Sequence, residues 1–121
     1  IIRNLGAGGT TNPVIERNTT SDLKLFQNNA LFDATANTGA LYLDEGTTAL
    51  ATAVAINTTM MGGTSGGSLV ADCMLNASWH LPMGSACRNA GTAMSCPRTD
   101  YDAQVRPNEA VCDIGADEFY P

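Results

Sequence analysis

The apolar residues of this chain come in short bursts, and the spacing of these bursts limits the fold more than any other feature. Each burst is only a few residues long, and corners rich in Asn, Gly and Asp separate it from the next. Such bursts are too short for helices and too close together for strands joined by crossover helices. The clearest bursts are 23–26, 30–32, 41–43 and 51–56. They predict an all-β solenoid of short strands, in which each coil contributes one strand to each face.

Segment 47–61 carries the one competing signal for a helix, because its alanine residues tolerate helical backbone. In the same segment the β-branched residues Thr52, Val54 and Ile56 recur at alternate positions, which favours a strand. We therefore predict a strand there and keep the helix as the alternative. A further strand is expected at 69–71, after a loop rich in Gly, Ser and Thr.

The charge of the chain excludes two classes of partner. Its 121 residues carry 6 basic and 12 acidic side chains, which gives a net charge of −6. Basic residues form no cluster, whereas nucleic acids and anionic lipids require a cationic surface. No apolar run reaches the roughly 18 residues that a membrane-spanning helix needs. We therefore expect neither nucleic-acid binding nor membrane insertion.

The four cysteines, Cys73, Cys87, Cys96 and Cys112, all lie towards the end of the chain. No two of them form a C-x-x-C pair and the chain has 1 histidine, so the spacing of a zinc knuckle is absent. An even number of cysteines in an acidic, lysine-poor chain predicts two disulfides in an oxidising compartment, with three connectivities open. We favour Cys73–Cys87 and Cys96–Cys112, because each closes a local loop of about 15 residues and contributes roughly 3 kcal/mol. Buried free thiols are the alternative.

Beyond Cys96 the regular bursts stop, and prolines and charged residues become frequent. We therefore divide one structural domain into β-helix coils at 1–95 and an irregular capping tail at 96–121. A cap is required because the open end of a β-solenoid exposes unpaired backbone groups and invites aggregation. The chain does not begin with Met, and we expect it to be a fragment of a longer polypeptide.

Several motifs stand near the end of the chain. The tail reads C-P-R-T-D at 96–100, V-R-P at 105–107 and C-D-I-G-A-D-E-F at 112–119, and W-H-L-P-M-G-S-A-C-R-N-A-G-T occupies 79–92. These motifs resemble the C-terminal regions of secreted bacterial right-handed parallel β-helix proteins of the pectin-lyase-like and choice-of-anchor type. The resemblance departs from the family pattern at Ala103, where Gly is frequent, and at Arg88-Asn89. It implies a right-handed parallel β-helix and export from the cell, but no particular activity.

A salt bridge is expected to fix the tail to the final coil. Arg106 is its basic partner, because a guanidinium binds carboxylates in a fork geometry. The candidate acidic partners are Asp113, Asp117 and Glu118.

Metal binding and catalysis are weaker interpretations of the acidic tail. Asp100 and Asp102 are weak candidates for Ca²⁺, the one cofactor considered. Paired carboxylates can also hydrolyse glycosides, but we assign no catalytic residue. His80, the single histidine, is expected to be hydrogen-bonded near the last coil in a structural role rather than to act as a base.

Together these features predict a non-catalytic structural or adhesive segment of an extracellular β-helix that caps a surface rod or assembly. One alternative is the C-terminal part of a polysaccharide lyase or glycoside hydrolase whose catalytic residues lie upstream, and another is a sugar- or calcium-binding module. The expected partners are upstream coils of the same polypeptide or other subunits stacking near Ile1, with polysaccharide as a further candidate. The predicted location is extracellular or at the cell surface.

Overall fold

The structure is a computed structural model that describes residues 1–4, 14–15, 23–34, 41–59 and 64–121. Within these residues it contains short strands and one short helix. In chain order they are β1 (Ile2–Asn4), β2 (Val14–Ile15), β3 (Leu25–Gln27), β4 (Ala30–Asp33), β5 (Tyr42–Asp44), β6 (Thr48–Leu50), α1 (Ala53–Thr59), β7 (Thr64–Gly66) and β8 (Leu69–Val70). No helix in this part of the chain has the length and apolar character needed to cross a membrane.

The strands of the described residues form three separate sheets of two or three strands each. In the first sheet β4 lies between β1 and β8, and both neighbours run parallel to it. In the second sheet β5 lies between the parallel β2 and the antiparallel β6. The third sheet pairs β3 with β7 in parallel. Sheets this small are not stable alone, so the fold depends on packing between them.

The prediction of an all-β, right-handed parallel β-helix is wrong. In the described residues the strands fall into separate small sheets with no continuous solenoid sheet, one strand pair is antiparallel, and a helix is present. The corner after β5 explains part of the difference, because Glu45 and Gly46 have φ angles of 51° and 70°. Consecutive positive φ angles are typical of the tight turns that join antiparallel strands. The chain therefore doubles back from β5 into β6 instead of passing to a new face.

The strand predicted across 47–61 is also wrong in its second half, where α1 forms. The hydroxyl of Thr52 caps this helix by accepting a hydrogen bond from a backbone N–H three residues further on, at 3.1 Å. The side chain of Asn57 bonds the backbone N–H and C=O of Ser68, at 3.0 and 2.9 Å. Ile56 is fully buried. The cap and these tertiary contacts outweigh the strand preference of the β-branched residues.

Among the described residues, the core consists of two apolar clusters that share strand β4. The first cluster contains Phe26, Leu31, Leu41, Tyr42, Leu50 and Ile56, and the second contains Ala30, Cys73, Leu81, Cys87, Ile114 and Phe119. Ala30 and Leu31 are neighbours in β4 and point to opposite faces, as successive strand residues do. Full burial of a side chain such as Leu31 stabilises the fold by roughly 1.5–3 kcal/mol. Strand β4 therefore holds the sheets together on one face and the C-terminal residues on the other.

Residues 71–121, which we name the irregular segment, contain no named helix or strand. One isolated antiparallel bridge joins Thr99 to Val105 within it. Irregular backbone thus begins well before the boundary predicted between 1–95 and 96–121, and that division stays a prediction. The segment supplies most of the second apolar cluster, so it is an integral part of the core.

Candidate functional site

Two disulfides hold the irregular segment. Cys73 is joined to Cys87 and Cys96 to Cys112, with Cα–Cα distances of 5.2 and 6.2 Å, and these are the pairs that the sequence favoured. Both sulfurs of the first pair are buried in the second apolar cluster. Disulfides persist in oxidising compartments, so the pair of bridges indicates a non-reducing setting.

Arg106 is the centre of a buried polar network at the end of the chain. Its Nε donates to Glu118 Oε2 at 2.9 Å, and only 4% and 1% of the two side chains are exposed. Its Nη1 and Nη2 donate to the backbone carbonyls of Gly115 and Asp113, at 3.0 and 2.8 Å. Of the predicted acidic partners, Glu118 forms the ion pair, whereas Asp113 contributes only its carbonyl.

The carboxylate of Asp113 binds backbone instead of Arg106. It accepts hydrogen bonds from the N–H of Asn89 at 2.6 Å and from the N–H of Phe119 at 2.7 Å. Burial raises the pKa of Asp113, and these two hydrogen bonds act in the opposite direction because they favour the charged form. The side chain thus ties two distant stretches of the irregular segment together.

Asp100 organises a loop rather than offering free oxygens to a cation. Its Oδ1 accepts the backbone N–H of Asp102 at 2.9 Å and of Gln104 at 2.8 Å, and its Oδ2 accepts the N–H of Glu118 at 3.4 Å. The weak metal candidate Asp100 is therefore occupied by backbone. The loop that it organises, residues 100–104, carries Tyr101 and Asp102 at its tip.

Asn76 organises a second loop, which presents Trp79 and His80. Asn76 Oδ1 accepts the backbone N–H of Ser78 at 2.8 Å and of His80 at 3.0 Å, and the backbone of Asn76 bonds that of Trp79 and His80. Trp79 has a φ of 68° and is 69% exposed. A bulky residue seldom adopts this conformation, so the surrounding hydrogen bonds hold the indole on the surface.

The two loops meet at His80. The Nδ1 atom of His80 lies 3.1 Å from Asp117 Oδ1 and 3.3 Å from Asp102 Oδ2. The other oxygen of Asp117 accepts the backbone N–H of Leu81 at 2.5 Å, and Asp117 is buried. The hydroxyl of Tyr101 lies 2.9 Å from the same Nδ1. We name His80, Tyr101, Asp102 and Asp117 the His80 cluster.

Tyr101 completes the His80 cluster from the exposed side. Its ring stacks on the imidazole of His80 with centroids 5.4 Å apart, and its hydroxyl donates to the carbonyl of Ser78 at 2.8 Å. Desolvation raises the pKa of Tyr101, and the negative charges of Asp102 and Asp117 add to that effect. The phenol is therefore a neutral hydrogen-bonding group at neutral pH.

Two concave surfaces border the His80 cluster. One has a volume of about 390 Å³ and is mostly apolar, with Leu75, Trp79 and Tyr101 in its wall and Asp117 at its edge. The other has a volume of about 280 Å³ and is lined by His80, Asp102 and Asp117 together with the chain end around Tyr120. The cluster is thus accessible to small molecules and ions from both sides.

Sequence reasoning singled out His80, Asp102 and Asp117 separately and did not predict that they meet. His80 and Asp117 are 37 residues apart, and no sequence period connects them. The structure also places Trp79 and Tyr101 at the site. A turn signal at Asn76 beside the single tryptophan was the one sequence feature that could have drawn attention to this loop.

No protein-family model, curated protein or solved structure matches the chain.

Proposed function

We propose that this chain is a non-catalytic structural or adhesive segment of an extracellular protein. One observation carries the proposal: the irregular segment uses its charged side chains to hold its own backbone. Asp100, Asp113 and Glu118 each accept hydrogen bonds from backbone N–H groups, and Arg106 donates to two backbone carbonyls. Charges fixed in this way stabilise a rigid surface rather than transfer protons to a substrate.

An extracellular or cell-surface location is part of the proposal. The two disulfides support it, because cytosolic thiols are kept reduced. The similarity of motifs at 79–92 and 112–119 to those of secreted surface proteins supports it as well. The right-handed β-helix implied by the same similarity is not part of the proposal.

Incubation with polysaccharides tests the absence of turnover. The protein is mixed with uronate-containing and neutral polysaccharides, and reducing ends and unsaturated products are measured over time. We expect no release above the rate in buffer. Release that disappears in Asp102→Asn or His80→Gln would contradict the proposal, because it would make the His80 cluster catalytic.

A sugar-binding surface is a second candidate, favoured by the concavity beside Trp79. An exposed indole next to a tyrosine ring presents apolar faces with hydrogen-bonding edges, and Asp117 borders the same space. Ligand sites commonly combine aromatic walls with a few polar groups in this way. Trp79 has a positive φ, and its indole is exposed to solvent. Strained backbone of this kind concentrates at functional sites, which supports a binding role for this side chain.

Tryptophan fluorescence tests this second candidate directly, because Trp79 is the single tryptophan of the chain. Saturable changes in its emission on titration with neutral or uronate oligosaccharides are the expected result, together with loss of binding in Trp79→Ala. Met83→Ala is the matched control, since Met83 is also 69% exposed. Unchanged emission across the oligosaccharide series, or equal binding by Trp79→Ala in calorimetry, would remove the candidate.

A further inference from the structure

We propose that His80, Asp102 and Asp117 form a binding site for a divalent transition-metal ion of the zinc class. The three side chains come from three different parts of the irregular segment, and one ligand atom of each lies within 4.8 Å of the others. This proposal is independent of the structural or adhesive function and of sugar binding at Trp79.

The two distances from the imidazole to the carboxylates match the spacing of ligand atoms in a tetrahedral site. Zinc is bound by imidazole nitrogen and carboxylate oxygen at about 2.0–2.1 Å, so two ligand atoms on a tetrahedron lie about 3.3 Å apart. The His80 Nδ1 atom lies 3.3 Å from Asp102 Oδ2 and 3.1 Å from Asp117 Oδ1. Three protein ligands would leave the fourth position open to water or to a ligand oxygen.

The charges of the group favour a dication. Two carboxylates converge on one imidazole, and His80 is the only basic side chain that forms an ion pair with Asp102 or Asp117 among the residues that the structure describes. A bound dication would compensate both carboxylates at once. An imidazole ligand suits zinc, copper, nickel or iron, whereas calcium and magnesium prefer sets of oxygen atoms.

The ligands are held in place by contacts outside the group. Asp117 is buried, and its second oxygen accepts the N–H of Leu81 at 2.5 Å, so its first oxygen is fixed towards His80. Asn76 and Asp100 each fix the loop that carries one of the other two ligands. Such outer contacts orient the ligands of metal sites. The adjoining concavity of about 280 Å³, lined by all three residues, gives an ion a route to the site.

Calorimetric titration of the intact protein with zinc chloride, near pH 7 in a buffer that does not chelate, tests the proposal. We expect saturable binding of one ion per chain, and a loss of affinity of at least about 10-fold in Asp102→Asn and in His80→Gln. Glu45→Gln is the control, because it removes one carboxylate in the turn between β5 and β6 and should leave zinc binding unchanged. Asp102→Asn is the decisive variant, since that side chain is 37% exposed and its one ion pair among the described residues is with His80.

The single histidine provides a second readout that does not depend on affinity. In long-range ¹H–¹⁵N spectra, zinc should shift the Nδ1 resonance of His80 and leave the proton on Nε2, and the same zinc concentration should shift it less in Asp102→Asn. The proposal is overturned by any of three results: no saturable zinc binding, an equal loss of zinc affinity in Glu45→Gln and Asp102→Asn, or binding of calcium as tight as that of zinc. In each case the group would be a hydrogen-bonded His–Asp pair or a nonspecific acidic surface.

Discussion

At the scale of single residues, Ala103 has a backbone conformation that destabilises the folded state. Its φ is 64° in the loop that Asp100 organises, and a residue with a Cβ atom is disfavoured there by roughly 1–2 kcal/mol. We therefore predict that Ala103→Gly raises the free energy of unfolding by about 1 kcal/mol, measured by urea denaturation.

The control for this prediction is Ala77→Gly, at an exposed position whose φ is not positive. There the added flexibility of the unfolded chain should lower stability by a few tenths of a kcal/mol to about 1 kcal/mol. Equal destabilisation by both substitutions would contradict the backbone conformation at Ala103. The sequence indicated this position in part, because Ala103 stands where the β-helix proteins that the tail motifs resemble often have Gly.

The stability of the fold should depend strongly on Arg106. Arg106→Met leaves Glu118 buried without its partner, and removal of one member of a buried ion pair typically costs about 3–5 kcal/mol. Thermal and urea unfolding check the loss. Arg98→Met is the matched control, because Arg98 is exposed and should change stability by less than about 0.5 kcal/mol. Similar stability of the two variants would show that the Arg106 network is not formed.

The sequence could identify these chemical groups but not all of their partners. Arg106 and Glu118 were predicted as members of one salt bridge, because a guanidinium binds carboxylates in a fork geometry. Asp117 was assigned to the same bridge, yet it lies with His80. Which carboxylate of a dense acidic stretch reaches which cation depends on side-chain direction in an irregular backbone, and no periodicity encodes that direction.

The two disulfides act at the scale of elements, because each closes a loop within the irregular segment. We predict that Cys96→Ala/Cys112→Ala lowers the free energy of unfolding by about 3 kcal/mol through the loss of loop closure. Cys73→Ala/Cys87→Ala should lower it further, since both sulfurs also fill the second apolar cluster and their removal leaves a cavity. Urea denaturation under oxidising conditions gives both values. Equal stability of the wild type and the two double variants would contradict the presence of the bridges.

An ion pair links two other stretches of the irregular segment and should make stability depend on pH. Arg88 Nε donates to Glu109 Oε2 at 2.6 Å, and this hydrogen bond lowers the pKa of Glu109 from its ordinary value of 4.5. A carboxyl whose pKa is lowered by folding stabilises the fold above its unfolded pKa, and this stabilisation is lost as the pH falls through the folded pKa.

Glu109→Gln removes this dependence. The free energy of unfolding of the wild type should exceed that of Glu109→Gln near neutral pH, and the difference should shrink as the pH is lowered below about 4.5. Thermal melts of both proteins between about pH 3 and pH 7 measure this difference in the free energy of unfolding. Glu45→Gln is the control for the loss of one carboxylate. A difference that is constant across the range would argue against the pair with Arg88.

At the same scale, the strands were easier to predict than their surroundings. The bursts at 23–26, 30–32 and 41–43 correspond to β3, β4 and β5, because short apolar runs between turn residues have few other uses. The helix α1 was kept only as the alternative, and it is stabilised by the cap at Thr52 and by contacts of Asn57 with Ser68. The contact of Asn57 joins residues 11 positions apart, and a local pattern does not show it.

For the whole molecule, the sequence predicted the wrong architecture although three of its apolar bursts do form strands. Such bursts indicate where extended backbone lies, but they do not specify whether the chain continues to a new face or doubles back. The turn at Glu45 and Gly46 decides this point by producing the antiparallel pair β5–β6. The result is a set of small sheets bound together through β4, with the irregular segment as the second half of the core.

Hydrogen exchange at individual amides tests most directly whether the irregular segment is a rigid, folded half of the molecule. The amides of Leu81, Asp113 and Phe119 donate to buried carboxylates, so we predict that they exchange as slowly as the amide of Leu69, which bonds the backbone of Asn29 at 2.7 Å. Exchange of these three amides at the rate of an unfolded peptide, while Leu69 stays protected, would show that residues 71–121 do not form the structure described.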